Sequence, residues 1–216
     1  MTCAPSADRQ RDGGWRFADS PDCALENAFV RLEPLGIRHA GALAGLAVGT
    51  GLTRWFPEPL ETSAAVDRFI AKALDDAASG LARPFAIVDP ATGAVAGSTR
   101  FGAMAPEHRR VEIGWTFVGE PWRRTAINTA AKLLLLTEAF ERLRCIRVEL
   151  KTDARNLVSR AAIARLGAIE EGVLRSHIIC ADGYRRDTVY FSIVAPEWPA
   201  VKARLSARLT GRLGPA

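Results

Sequence analysis

A chain of 216 residues that is 48% hydrophobic and 25% charged can bury one good core, and at roughly 100–200 residues per domain it reads as one domain rather than two. Its formal charge of +5 and pI near 9.4 favour acidic partners by steering and say nothing about fold. Cys3, Cys23, Cys145 and Cys180 form neither a C-x-x-C pair nor a dense framework, which argues against a disulfide scaffold or a zinc site and fits a reducing cytoplasm.

Met1 to about Asp22 is rich in Asp, Arg, Gly and Ser and lacks the apolar run of a secretory signal. Residues 1–24 are therefore expected to be a flexible arm, in which Trp15 and Phe17 could still dock, and 25–216 a single domain. No stretch approaches the ~20 apolar residues of a membrane helix. A soluble, cytoplasmic protein without a membrane partner is the expectation, and no internal repeat is visible.

Phe29 to Leu35 suggests a strand that turns at Pro34, followed by a helix from about Ile37 to Ala47. The connection from Gly49 to Pro59 carries Trp55 and Phe56, an unusual aromatic load that suits a pocket wall. Thr62 or Ser63 can cap a helix that places Val66, Phe69, Ile70 and Leu74 at helical spacing and ends at Gly80. Phe85 to Val88, Val95 to Phe101 and Val111 to Val118 then read as an antiparallel meander.

A second long helix runs from Asn128 to about Leu143, with Leu133, Leu136, Phe140 and Leu143 on one face, and Cys145 to Lys151 resumes as a strand. Asn156 can cap a helix that stops at Gly167. Strands over Gly172 to Ile179 and Thr188 to Val194 surround an Ala-Asp-Gly turn, and a C-terminal helix closes the chain. The order makes a mixed α/β sheet whose one parallel crossover is the strand–helix–strand unit around residues 111–151, where a ligand should sit.

Gly119 to Leu136, GEPWRRTAINTAAKLLLL, places Arg123 and Arg124 at the start of the long helix. Unpaired N–H groups and the positive end of the helix dipole make an anion site there, so the amides from Arg124 to Asn128 could cradle a pyrophosphate with the guanidinium groups beside them. By spacing alone both arginines read equally well as solvated loop residues. In the preceding strand the odd positions are apolar, which puts Glu112, Gly114 and Thr116 on one face. A partly desolvated Glu112 could act as a general base, although from the residues alone an edge-facing glutamate paired with Arg109 or Arg147 is the better reading.

Together, Glu-Ile-Gly-Trp from Glu112, Pro-Trp-Arg-Arg-Thr-Ala-Ile-Asn-Thr from Pro121, Ala-Lys-Leu-Leu-Leu-Leu from Ala131, Asp-Ala-Arg-Asn-Leu-Val-Ser-Arg from Asp153 and Asp-Gly-Tyr-Arg-Arg-Asp from Asp182 resemble the GCN5-related N-acetyltransferases. Within them they resemble the branch of ribosomal-protein alanine acetyltransferases. The resemblance implies a mostly antiparallel sheet with a central, splayed parallel strand pair and helices on both faces. It implies acetyl-CoA as cosubstrate, no metal, and a primary amine as acceptor, either a protein N-terminus or a small molecule. It places the phosphate loop on Arg123, Arg124, Thr125, Ala126, Ile127 and Asn128, with both glycine positions of the pattern altered. It also sets main-chain groups of Phe117 and Val118 along the pantetheine arm, Asn156 near the cofactor, Glu112 as base and Ser159 as proton donor to the thiolate; Arg160, one residue on, could face the adenosine phosphates or merely solvent. A homodimer is plausible on the same ground.

Without the resemblance, Asn156 reads as an N-cap and Ser159 as a first-turn helix serine. Trp55, Trp115, Tyr184, Phe56 and Arg100 are candidates for the acceptor side, although aromatic residues in a sheet are more often core. His108 and His177 have no partner visible in sequence, Lys132 reads as a surface charge, and Cys145 as buried. The altered loop keeps open a non-catalytic CoA-binding module. Specific nucleic-acid binding has only the pI in its favour, because the arginines are spread rather than striped.

Overall fold

The computed structural model describes residues 23–211. The arm expected over 1–24 therefore falls, except for Cys23 and Ala24, outside the described residues, as do Trp15 and Phe17. Cys23 is tied down, since its carbonyl accepts from Arg83 Nη2 at 3.1 Å.

Eight strands form one sheet: β1 (Leu25–Asn27), β2 (Val30–Pro34), β3 (Arg83–Val88), β4 (Val95–Ala105), β5 (Arg110–Val118), β6 (Arg147–Asp153), β7 (Ile169–Ile179) and β8 (Arg185–Val194). Their order is β1-β2-β3-β4-β5-β6-β8-β7. All pairings are antiparallel except β5 with β6, the expected crossover. The short β1 hairpin was not legible as a strand; Asn27 Oδ1 accepts from Phe29 and Val30 N–H and turns the chain there.

The helices are α1 (Ala40–Ala47), α2 (Ser63–Ala78), α3 (Ile127–Thr137), α4 (Leu157–Leu166) and α5 (Trp198–Thr210). On one face of the sheet, Ala130, Leu135 and Leu136 of α3, Ile163 and Leu166 of α4 and Val201 and Leu205 of α5 pack on Phe101, Val111, Ile113, Val148 and Ile193. On the other, Leu43 and Ala47 of α1 and Val66, Ile70 and Ala73 of α2 pack on Ala86, Val88 and Phe117. Thr62 caps α2 by accepting from Ala65 N–H at 3.1 Å, and Asn156 caps α4 through Ser159 N–H at 3.1 Å.

Two parts of the α3 expectation change. Beyond Thr137 the helix widens into a π-turn over Glu138–Arg142. Glu138 is buried there and accepts from Arg83 Nη1 at 2.7 Å, tying the helix end to β3. Lys132 is only 6% exposed and not a surface charge, while Leu133 sits at the edge of the core.

α4 ends at Gly167, whose φ of +96° lies in the left-handed region. A Cβ there would meet Arg204 Nη2 at 1.6 Å, the group that donates to Leu166 O at 2.7 Å. Gly167→Ala is expected to lower unfolding free energy by about 1–3 kcal/mol. Urea unfolding checks it, and an unchanged midpoint would show that the αL position and its close contact impose no constraint.

Candidate active site

The pair β5–β6 joins only Arg110, Val111 and Glu112 with Arg147, Val148 and Glu149. Beyond Glu112 the strands part. The cause lies in β5 itself: between the pairs Arg100↔Gly114 and Ser98↔Phe117, β4 supplies one residue and β5 two, Trp115 and Thr116. This is a β-bulge, and Trp115 adopts φ +49° within it. The bulge inverts the alternation, so the expectation that Glu112, Gly114 and Thr116 share a face fails at Thr116. Trp115 lies over Gly102 and Arg100, with Glu112 and Gly114. Thr116 turns to the α3 side.

There Lys132 Nζ donates to Thr116 Oγ1 at 2.8 Å, Thr116 Oγ1 lies 2.8 Å from Thr99 Oγ1, and Thr116 donates to Gly114 O at 3.2 Å. These contacts clamp the bulge from below. Burial holds the Lys132 ammonium well below its ordinary value, at about 7, against a weaker upward pull from Glu112.

Glu112 is 5% exposed and leans over Gly114, where a Cβ would meet its Oε1 at 2.8 Å. Its partner is Lys151, not Arg109 or Arg147. Lys151 Nζ lies 2.7 Å from Oε2, in an ion pair poorly aligned for a hydrogen bond. Arg109 instead donates to Arg144 O, and Arg147 binds Glu149 and Glu171. Burial raises the Glu112 carboxyl above its ordinary value, Lys151 opposes this, and Glu149 across the parallel pair adds to it.

The same face continues onto β8. Register places Tyr190 opposite Lys151 and Thr188 opposite Asp153. Arg186 is buried and reaches Trp55 O at 3.5 Å. Among the described residues, five buried side-chain atoms have no hydrogen-bond partner: Arg100 Nε, Arg186 Nε, Thr188 Oγ1 and Glu112 Oε2 on this face, and Asn128 Oδ1 at the start of α3. Unsatisfied polar atoms are rare in folded interiors, and four of these five lie on the Glu112 face.

The 49–60 connection covers one end of this face. Ala181 N donates to Pro57 O at 2.8 Å, and Arg155 stacks on Tyr184 and Trp55, with its guanidinium carbon 3.5 and 5.0 Å from the ring centroids. The aromatic candidates thus divide: Trp55 and Tyr184 share this stack, Trp115 lines the region near Arg100, and Phe56 packs in the core against Phe69 and Phe117. His177 rests on the Tyr190 ring at 5.7 Å, and His108 is exposed beside Glu107. Cys145 is buried, which pushes its thiol up to about 12.

The phosphate-loop candidates converge on the start of α3. Thr125 Oγ1 donates to Trp122 O and accepts from Ile127 N–H, and Ala130 N–H is bonded to Ala126 O. The left-handed residue is Arg124 (φ +61°), whereas Ala126 sits at φ −71°. The altered glycine at 126 therefore imposes no strain, which weakens the argument for a non-catalytic module. Arg123, Arg124 and Thr125 are exposed around the helix start. A pyrophosphate fits this set of exposed cations and opening amides, whereas the unpartnered Asn128 Oδ1 is an acceptor and calls for a donor instead. Phe117 and Val118 lie on β5 beyond its last pairing with β6. Asn156 spends its side-chain oxygen on the α4 cap, and Ser159 is half-buried in the first turn. Arg160 is engaged by Glu170 at 3.1 Å and by Ala154 O at 3.3 Å, so it ties α4 to β7.

Sequence reasoning missed Lys132, Lys151, Arg186 and Thr188. A lysine inside the apolar stripe of α3 was the one available signal. The others depend on cross-strand register.

Residues 30–169 match the acetyltransferase (GNAT) domain model, and the chain belongs to that family. A Bacillus subtilis (strain 168) protein named "Putative ribosomal N-acetyltransferase YdaF" is 33% identical over 110 residues, 51% of this chain and 59% of that protein. The match thus spans about three fifths of that relative. A GCN5-related N-acetyltransferase from Brucella melitensis is 31% identical with a TM-score of 0.78, covering 86% of this chain and 85% of the other. Mycobacterium smegmatis RimJ, solved in complex with CoA-disulfide, is 26% identical with a TM-score of 0.71, covering 83% and 88%. The sheet and the splayed pair agree with the fold that the sequence resemblance implied.

Lys132 gives a pH test. Its value is about 7 in the folded chain against 10.5 ordinarily, so between these the unfolded chain binds the extra proton and raising the pH favours folding. The stability of the wild type relative to Lys132→Met is expected to rise from pH 7 to 10.5 in paired urea titrations. A difference that stays flat would mean that the buried amine is charged throughout.

Proposed function

We propose that the protein is an acetyl-CoA-dependent N-acetyltransferase acting on a primary amine. The observation that carries the reading is Glu112, a buried carboxylate with a raised proton affinity at the point where β5 and β6 part. Bound acetyl-CoA would supply the activated acetyl thioester. Arg123, Arg124, Thr125 and the amides of Ala126, Ile127 and Asn128 would hold its pyrophosphate at the start of α3, with main-chain groups of Phe117 and Val118 along the arm and Asn156 across the gap. Glu112 would take a proton from the incoming ammonium, since only the neutral amine is a nucleophile. Ser159, half-buried in the first turn of α4, would return a proton to the departing sulfur. Trp55, Trp115 and Tyr184 would border the acceptor.

The name carried by YdaF, a ribosomal N-acetyltransferase, supports a protein N-terminus over a small molecule. The chain's net charge of +5 would steer acidic acceptors toward it.

Calorimetric titration with acetyl-CoA, followed by thiol release against amines and N-terminal peptides, tests the proposal. Binding together with amine-dependent release is expected, and binding without release across the panel would favour a non-catalytic module. Glu112→Gln is expected to lower kcat by about 10²–10⁴-fold with the acetyl-CoA dissociation constant unchanged. Ser159→Ala should lower kcat with little change in the donor KM; loss of stability alone would make it a helix-start residue. Arg124→Ala should weaken acetyl-CoA binding first.

The pH profile gives a further prediction. Lys151 holds the Glu112 carboxyl down, so Lys151→Met should move the acidic limb of kcat to higher pH. A limb that stays in place would mean that Glu112 is not the group being titrated.

A further inference from the structure

A cavity of about 290 Å³ lies between α2 and strands β4 and β5, bordered by Asp76, Leu81, Arg100, Gly102, Met104 and Trp115. Most of this wall is apolar, and its charged members are Asp76 and Arg100. Arg100 is 3% exposed, and its guanidinium lies between the Phe69 and Trp115 rings, 4.7 Å from each centroid. Its nearest carboxylate, Asp76, is 3.9 Å away and is itself bonded to Lys72 at 2.5 Å. Arg100 Nε has no partner.

Burial lowers Arg100 to about 10, so it stays cationic at neutral pH. Rings on its faces keep water off the π surfaces and leave the donor edge, the part that grips a carboxylate in two parallel hydrogen bonds. A buried guanidinium whose Nε has no partner and whose nearest carboxylate stands off at 3.9 Å is costly unless a further anion satisfies it. The wall is shaped for this: Trp115 can lie across β4 only because residue 102 is glycine, where a Cβ would meet the indole at 2.5 Å.

The position relative to Glu112 specifies what the anion belongs to. Arg100 pairs with Gly114 and Gly102 with Glu112, so Arg100 and Glu112 are diagonal neighbours on one face, about 7–8 Å apart at the backbone. An amine at Glu112 therefore brings groups a few bonds away to Arg100.

We propose that this cavity is the subsite for a carboxylate of the acceptor, so that the preferred substrate carries an amine and a carboxylate a few bonds apart. The inference rests on the acetyltransferase reading and narrows its acceptor. The carboxylate comes either from the α-carboxyl group of a free amino acid or from an Asp or Glu side chain in the first two residues of a peptide.

The experiment uses matched probes on the full chain loaded with CoA: alanine against alaninamide, and the tripeptide amides Ala-Glu-Ala against Ala-Gln-Ala. Binding is measured by calorimetry, and thiol release with acetyl-CoA in parallel. In at least one pair the carboxylate form should bind about tenfold more tightly, the counterpart of one charge-assisted hydrogen bond. Which pair shows it identifies the source. Arg100→Met should erase the difference and leave CoA affinity unchanged; Arg100→Lys, which keeps the charge but loses the fork, should retain only part of it. Equal binding within both pairs, no binding of either form, or a preference that survives in Arg100→Met overturns the inference. Thiol release decides the transferase reading separately. Release without carboxylate preference removes the subsite and keeps the enzyme, and selective binding without release from any amine keeps the anion site and removes the enzyme.

Discussion

The bulge at Trp115 and Thr116 is the constraint on which the rest of the molecule depends. One extra residue in β5 bends the strand from its parallel neighbour after Glu112, opens the gap beside Phe117 and Val118, and exchanges the faces of the residues that follow. Without it Trp115 would point into the α3 core and Thr116 into the polar face. The exchange is held by a hydroxyl, a backbone carbonyl and one buried lysine, Thr116, Gly114 and Lys132. Placing an ammonium in a helix stripe that otherwise buries leucines is unfavourable in itself, and the hydrogen bond it makes to the bulge is the compensating contact.

Charge burial separates the two faces of the sheet. The α3 side is an apolar interior with buried charge at two points, the Lys132 clamp and the Arg83–Glu138 pair. The opposite face is apolar only where α1 and α2 cover it. From β4 to β8 it carries Arg100, Glu112, Lys151, Asp153 and Arg186, all buried or half-buried. Ion pairs there are incomplete: Lys151 meets Glu112 off the hydrogen-bonding direction, and two arginines keep an unpaired Nε. Such incompletely paired buried charge contributes little to folding. The π-turn that binds Glu138 to Arg83 and Arg142 shows the contrary case, a buried carboxylate whose two arginine partners outweigh burial and hold it below its ordinary value.

Much of the frame was legible because it obeys local rules. Thr62 and Asn156 cap helices, Gly167 ends one, the Ala-Asp-Gly turn joins β7 and β8, and a strand–helix–strand unit produces the parallel pair. The site was legible in part. Arg123 and Arg124 stood out as cations at a helix start and Glu112 as a carboxylate on an inner strand, but the glycine argument at Ala126 assumed a backbone conformation that falls on Arg124 instead. Period-two alternation identified the face of Glu112 and failed four residues later at the bulge, because alternation carries no information about an inserted residue on one strand of a pair.

The sequence by itself determined the element order, the single mixed sheet and, through its combined motifs, the family. Only the tertiary structure decided that Glu112 meets Lys151, that Lys132 turns inward to hold the bulge, and that Arg100 lies between Phe69 and Trp115 with its Nε unpartnered. These contacts join residues from 15 to 39 positions apart through register and packing, and neither propensity nor spacing along one strand or helix encodes such a meeting.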